Sequence, residues 1–159
     1  MQETINKETV DKIATLVELD KKYSQAFDRR LAVKAIEIAS SMLVEDIPQC
    51  PVVLIGLYCK KYKDRFFKVM PIDRPYFLYK DMLDLAQREG MSDAYRGIEA
   101  LFGTSLKWVR GGHMKFLMNS QLFSEHVVPN IRSRVSGEQA EWANYALSSR
   151  EKGSREVRL

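Results

Sequence analysis

The residues of this sequence with the clearest functional potential are its cations. The residue types used in catalysis are few, and their spacing matches no known catalytic pattern. The only histidines, His113 and His126, lie in no HxxxH or HxxE frame, and no GxSxG, CxxC or P-loop pattern occurs. Asp81 and Asp84 share a helix face, a spacing common among solvated acids. We therefore expect no enzymatic activity, no metal site and no cofactor.

The densest group of cations is the segment KKYKDRFFK, residues 60 to 68, with five Lys or Arg against one Asp. As a helix, this segment places Tyr62 and Phe66 on one apolar stripe. The lysines point away from that stripe or flank it: Lys60, Lys61 and Lys63. Such a face can neutralise phosphates in nucleic acid, or it can be the solvated side of an amphipathic helix. Both interpretations remain open, and stacking of single-stranded bases on Tyr62 or Phe67 is a third alternative.

A helix-turn-helix is predicted for LAQREGMSDAYRGIEALF, from Leu85 to Phe102. Ala86 lies four residues before Gly90, and a small residue followed by a turn glycine lets two helices approach each other. In a DNA groove the second helix would present three residues to base edges: Ser92, Tyr95 and Arg96. The alternative is an ordinary helical hairpin that only packs, since the same face also carries two acids, Asp93 and Glu99.

The dipeptide Gly111-Gly112 suits a two-residue hairpin turn between the apolar runs LKWVR and HMKFLM. This β-hairpin over residues 105 to 118 would pair Val109 with Met114. Its cations would contact backbone phosphate: Lys107, Arg110 and Lys115. A solvated ribbon whose cations protect exposed edges is equally compatible, and a helix ending at the glycines is the rival secondary structure.

The remaining elements are predicted as helices. Helical spacing covers residues 5 to 45, with Asp28 as an N-cap inside it, and whether this region is one helix or two stays open. Proline starts the next two helices, from Pro51 and Pro75, with Phe77 facing inward on the second. Ser92 is predicted to cap a helix ending at Gly103. Two further helices follow, at 121–128 and 137–149, with Pro129 between them and Ser136 as a cap.

Composition places the chain among globular proteins. It has 159 residues, 45% of them hydrophobic, a net charge of +4 and a pI of about 9.0. We expect residues 1–46 to form a face for oligomerisation or a partner, 47–149 the helical domain, and 150–159 a basic flexible tail. The two cysteines are expected to be reduced thiols. No signal core or membrane-spanning run is seen, which predicts a cytoplasmic protein.

Three segments resemble the C subunit of the flagellar master transcription activator and its relatives on conjugative plasmids. They are LAVKAIEIASSM (31–42), LIGLY (54–58) and VMPIDRPYF (69–77), and the likeness extends to SLKWVR (105–110). The resemblance implies a mostly helical regulator that binds DNA within an oligomer and activates transcription. The four-cysteine zinc site of that family has no counterpart here, since Cys50 and Cys59 are differently placed.

The sequence thus predicts a mainly α-helical, winged-helix-like protein, with a helix-turn-helix followed by one β-hairpin. Its expected function is a DNA-binding transcriptional regulator, acting on double-stranded DNA as a homo-oligomer or as a hetero-oligomer with another regulator. The alternative is a non-enzymatic helical adaptor that self-associates or binds another protein. Its seven methionines and its aromatic helix faces would suit such a contact surface.

Overall fold

The computed structural model describes residues 7–103 and 113–136, and all regular structure within those two ranges is helical. A 3₁₀ turn at Val44–Asp46 precedes the third helix, and a π-helical turn at Phe123–Val127 lies between the seventh and eighth. In chain order the α-helices are α1 Lys7–Ala26, α2 Arg29–Ala39, α3 Pro51–Phe66, α4 Pro75–Glu89, α5 Met91–Gly103, α6 His113–Met118, α7 Ser120–Leu122 and α8 Val128–Ser136. The chain divides into two compact units, Met1–Tyr95 and Arg96–Leu159.

The first unit is organised around α3. Every residue from Pro51 to Cys59 is buried, because α1, α2 and α4 all pack against this half of the helix. Gly56 allows α2 to approach closely, since a Cβ at this position would overlap the carbonyl oxygen of Ala32. From Lys60 to Phe66, by contrast, no residue is buried. The helix therefore has a core half and a solvent-facing half.

The region from 5 to 45 forms two helices, α1 and α2. Phe27 closes α1 with a φ of 55°, and its amide donates to the carbonyl of Tyr23. The Asp28 carboxylate then accepts from the amide of Arg30 at 2.9 Å, which confirms Asp28 as the N-cap of α2. The question that the sequence left open is settled by this two-residue break.

The start of α3 is tied to two other helices by Asp20. Pro51 occupies the first turn, as predicted, but the N-cap residue Cys50 makes no side-chain capping bond. Instead the Asp20 carboxylate of α1 accepts from the amide of Val52 at 3.0 Å and from the hydroxyl of Tyr79 in α4 at 2.9 Å. Burial raises the pKa of Asp20 above its usual range, and these two hydrogen bonds offset part of that effect.

The break between α4 and α5 is a single residue. Gly90 has φ 91° and ψ 150°, a conformation essentially restricted to glycine, which confirms it as the residue that ends α4. The next helix begins at Met91, so Ser92 lies within its first turn and is not the cap that was predicted. A turn of three or four residues, as in a helix-turn-helix, is absent here because Gly90 alone redirects the chain.

The predicted β-hairpin and the winged-helix-like fold are wrong. Residues His113–Met118 form α6, and neither described range contains a β-strand. The reason is visible in the burial of two neighbours: Phe116 is 2% exposed and Leu117 is 0% exposed. A ribbon with one solvated face would alternate buried and exposed residues, whereas a helix can bury adjacent ones. The first predicted strand and the two turn glycines lie outside the described residues.

In the second unit, α5 packs against the π-helical turn. A Cβ at Gly97 would lie 3.0 Å from the ring of Phe123 and 3.1 Å from Val127, so this contact requires glycine or a shift of both side chains. Pro129 was predicted to interrupt the helix, and that prediction is wrong, because α8 runs through it. Proline fits there since it stands in the first turn of α8, directly after the π turn. The helix predicted for 137–149 lies outside the described residues.

Candidate functional site

The solvent-facing half of α3 leads into a surface with a concentrated positive charge. From Lys60 to Lys80 the chain has seven Lys and Arg and two Asp, a net charge of +5, while the whole chain has +4. This segment comprises the end of α3, the connector of residues 67–74 and the start of α4. We call the exposed and half-exposed side chains from Lys60 to Lys80 the connector surface.

The connector surface is anchored to the junction between α1 and α2. The Arg29 guanidinium donates to the carbonyl oxygen of Met70 at 2.7 Å and to the thiol sulfur of Cys59 at 3.6 Å. The ring of Phe27 meets the ring of Tyr76 edge-on, with centroids 6.4 Å apart. Both the connector and the start of α4 therefore lie against the same junction, which fixes their position relative to α3.

Several lysines of the connector surface carry uncompensated charge. Among the described residues, four of them form no ion pair and no side-chain hydrogen bond: Lys60, Lys61, Lys63 and Lys68. Elsewhere in the same unit some cations are paired, as in Lys12 with Glu8 at 3.0 Å and Arg30 with Asp28 at 2.8 Å, whereas others such as Lys34 have no partner in the described ranges either, so the connector surface is distinguished by the density of its lysines. The four lysines can therefore meet an external anion without first breaking an internal pair.

Aromatic rings are exposed beside these cations. Phe67 is 89% exposed, Tyr76 52% and Phe77 55%, and they are the aromatic members of the exposed large hydrophobic residues in the part of the chain that is described. Lys80 lies 5.4 Å from the centroid of the Tyr76 ring, and Arg74 lies 5.7 Å from that of Phe77. Two of the three rings thus have a cation as an immediate neighbour.

The backbone of Phe67 is unusual for a residue with a Cβ. Phe67 caps α3 in the left-handed region, with φ 59° and ψ 32°, where glycine or asparagine is normally found. Phe27 has nearly the same φ, but its ring contacts Tyr23 at 5.7 Å and Tyr76 at 6.4 Å. No ring contact of Phe67 exists within the described ranges. Ring contacts account for the positive φ of Phe27, but no ring contact in those ranges accounts for that of Phe67.

The residues predicted to read DNA bases are less available. Tyr95 is 5% exposed, so its side chain does not present itself to a base edge. Ser92 and Arg96 are half-exposed on α5, in company with the acids Asp93 and Glu99. Lys115 is exposed on α6. Two further predicted contacts lie outside the described residues: Lys107 and Arg110.

The cysteines, the possible metal ligands and the groove between α1 and α2 have fewer features of a binding site than the connector surface. Burial raises the pKa of Cys50 to about 12 and also raises that of Cys59, so both thiols are protonated near neutral pH. In residues 7–103 and 113–136, no group of three or more His, Cys, Asp or Glu is placed to hold a metal ion. A shallow groove between α1 and α2 has walls of mixed charge, including Glu8, Lys12 and Glu37.

Sequence reasoning considered Phe67 as a ring for base stacking but missed the two exposed rings of α4, Tyr76 and Phe77. Phe77 was predicted to face inward and does not, because helical spacing cannot show where the neighbouring helix stops. The available signal was the proline-rich connector MPIDRP, which separates two aromatic pairs, Phe66-Phe67 and Tyr76-Phe77. No helix in the described ranges combines the length and hydropathy needed to cross a membrane. Comparison with family models, curated proteins and solved structures found no match to this chain.

Proposed function

We propose that this protein is a non-enzymatic DNA-binding protein and that the connector surface is its contact with DNA. The observation that supports this proposal is the group of four lysines without internal partners, held on an anchored segment of net charge +5. Each phosphate that a lysine neutralises releases condensed counterions, which drives binding and makes it sensitive to salt. Transcription regulation is the setting that the resemblance of residues 31–77 favours.

This proposal moves the contact from α5 to α3. The burial of Tyr95 and the presence of two acids on the same helix count against base reading by α5. The outer half of α3 instead has lysines at 60, 61 and 63 and one nearby acid, Asp64. Cations in the last turn of a helix are also stabilised by the helix dipole, so part of this charge has a structural role whatever it binds.

The test compares two variants that lose the same charge in different places. Lys60→Gln/Lys63→Gln changes the connector surface, and Lys7→Gln/Lys34→Gln removes two exposed lysines elsewhere on the first unit. Affinity for a fluorescent duplex is measured by anisotropy between about 50 and about 200 mM salt. The plot of log K against log salt has a negative slope, and we expect the first variant to make it less steep by about 1.8, since each of the two lost phosphate contacts accounts for about 0.9.

The control variant should bind nearly as the natural protein does, since long-range charge effects are strongly screened at these salt concentrations. Equal losses in the two variants would mean that DNA is attracted only by overall charge. Undetectable or salt-independent binding by the natural protein would refute the proposal.

The second candidate, a helical adaptor, is favoured by one specific observation. Val69 is 61% exposed beside Phe67 in the connector, so the connector surface also has apolar area that a protein partner could cover. Mass measurement of the purified chain with and without DNA separates the two candidates. Stable self-association that Phe67→Ala abolishes, with no uptake of DNA, would favour the adaptor.

A further inference from the structure

The exposed rings of the connector surface bear on which form of nucleic acid binds there. We infer that the connector surface binds unpaired nucleotides, with bases stacked on Phe67, Tyr76 and Phe77 and with phosphates beside the neighbouring cations. This inference rests on the proposed DNA binding and specifies its substrate as single-stranded segments. Base stacking on aromatic side chains, combined with a positive surface that follows the backbone, is a general way of binding single strands.

The angle between two of the rings favours a single strand over a duplex. Tyr76 and Phe77 have centroids 5.5 Å apart and ring planes inclined by 71°. Bases stacked on these two rings would be inclined to each other by a similar angle. Consecutive bases in a duplex lie nearly parallel and stack on each other, so neither face is free for a side chain. Only unpaired nucleotides can separate their bases in this way.

Each of these rings has its own cation at a distance suited to one nucleotide. Lys80 is 5.4 Å from the Tyr76 centroid, and Arg74 is 5.7 Å from the Phe77 centroid. A nucleotide has an aromatic base and a phosphate joined through one sugar. Each cation lies over one face of its ring, so a base would stack on the opposite face, with its phosphate directed through the sugar toward that cation.

Phe67 supplies the third and most accessible ring. Its side chain is 89% exposed, and it has no ring partner in the described residues. Lys68 follows it directly in the sequence and forms no ion pair among the described residues, although no cation lies over the Phe67 ring there. The two rings with cations, Tyr76 and Phe77, and this exposed ring with a lysine next to it in the sequence argue for a ligand that is both aromatic and anionic.

The decisive experiment uses three ligands of equal length, about 12 nucleotides, a size within the range that single-strand sites cover. They are oligo(dT), an abasic strand with the same phosphates, and an oligo(dA)·oligo(dT) duplex. The full-length protein is compared with Phe67→Ala, Phe77→Ala and a control, Leu43→Ala. Leu43 is 69% exposed and precedes the 3₁₀ turn, outside the connector surface. Circular dichroism confirms that each variant is folded.

We expect oligo(dT) to bind on the order of tenfold or more tightly than the abasic strand, because stacking on exposed rings adds to the shared phosphate contacts. Each phenylalanine variant should reduce that advantage, and Leu43→Ala should not. Equal affinity for oligo(dT) and the abasic strand, or tighter binding of the duplex, would overturn the inference and leave the proposed DNA binding intact. Failure to bind any of the three ligands would overturn both. An oligo(dT) advantage that both phenylalanine variants retain would also overturn the assignment to these rings.

Discussion

The left-handed conformation of Phe67 gives a direct way to separate stability from binding. A Cβ in this region costs roughly 1–2 kcal/mol, and Phe67→Gly removes that cost. Glycine loses more backbone entropy on folding, about 0.5–1 kcal/mol. With 89% of the residue exposed, the ring contributes little burial to the fold. For Phe67→Gly we therefore expect a free energy of unfolding that is unchanged or higher by about 0.5–1 kcal/mol.

Phe27→Gly is the matched control, because Phe27 also has a positive φ but its ring is in contact with other rings. Its φ is 55° against 59° for Phe67, but it packs edge-on against Tyr23 and Tyr76. Loss of these contacts outweighs the relief of the strained positive φ. Truncating a buried Phe costs about 3–5 kcal/mol, so a half-buried one should lower the free energy of unfolding by about 1–2 kcal/mol on balance.

Both variants are measured by urea denaturation, and binding of oligo(dT) is measured on the same preparations. We expect Phe67→Gly to retain or gain stability while it loses affinity for the single strand. A fall of more than about 1 kcal/mol in the free energy of unfolding of Phe67→Gly would refute the reasoning, since such a fall is the signature of a packed side chain. Phe67 would then belong to the core and would no longer support a ligand-binding surface.

Four further substitutions at three positions test the framework by urea denaturation. Gly90→Ala should destabilise by about 1–2 kcal/mol although open space surrounds the position, because its φ of 91° disfavours any Cβ, and a neutral result would contradict this conformation. Gly56→Ala should lower the free energy of unfolding by about 1–3 kcal/mol or more, because the added Cβ would overlap α2. An unchanged free energy of unfolding would mean that α2 and α3 are farther apart. Asp20→Ala should cost about 1–2 kcal/mol through loss of the α3 cap. Because the pKa of Asp20 is higher in the folded state, its contribution to stability is fullest below the unfolded value of 3.8 and declines as the pH rises through the raised value. The stability of the natural protein relative to Asp20→Asn should therefore fall as the pH rises from about 3 to about 7, and a flat difference would show that burial does not raise the pKa.

Three predictions that depend on a single residue were correct, whereas the cap at Ser92 and the break at Pro129 were not. Asp28 as a cap, Pro51 in the first turn of α3 and Gly90 as the end of α4 are all confirmed. Each depends on chemistry within about four residues: a carboxylate that accepts from a free amide, a ring that needs no amide partner, and a missing Cβ. Neighbouring helices do not alter these preferences, so they can be predicted without knowledge of the tertiary structure.

The hairpin prediction failed because it depended on a short segment with two compatible patterns. HMKFLM has apolar residues at 114, 116, 117 and 118, which fits an alternating strand at its start and a helix at its end. Over six residues the two periodicities are poorly separated. Burial of both Phe116 and Leu117 decides in favour of the helix, and that burial comes from tertiary packing within the second unit.

The connector surface was only half predictable for a similar reason. The cations of α3 were evident in the sequence, but the change from a buried half to an exposed half occurs between Cys59 and Lys60, within one continuous helix. Nothing in helical spacing marks the point where the packing neighbours end. The exposed side of α4 was misassigned in the same way, which is why Phe77 was placed inside and only Phe67, not Tyr76 or Phe77, was considered together with the lysines.

In the proposed complex the lysines would attract the strand and the rings would hold its bases. Residues 60–80 have a net charge of +5 and the whole chain +4, so the remainder is nearly neutral with a net of −1. Within that remainder, residues 104–159 have nine Lys and Arg and five Glu, a net charge of +4, so residues 60–80 share the long-range attraction for an anionic strand with the C-terminal third of the sequence. Attraction between charges mainly accelerates encounter, while close contacts such as stacking mainly slow dissociation. A surface built only to reach phosphates would need the lysines alone, and one built only to dock an apolar partner would need the rings alone. The presence of both on the same anchored segment is best explained by a ligand that combines negative charge with flat, unpaired rings.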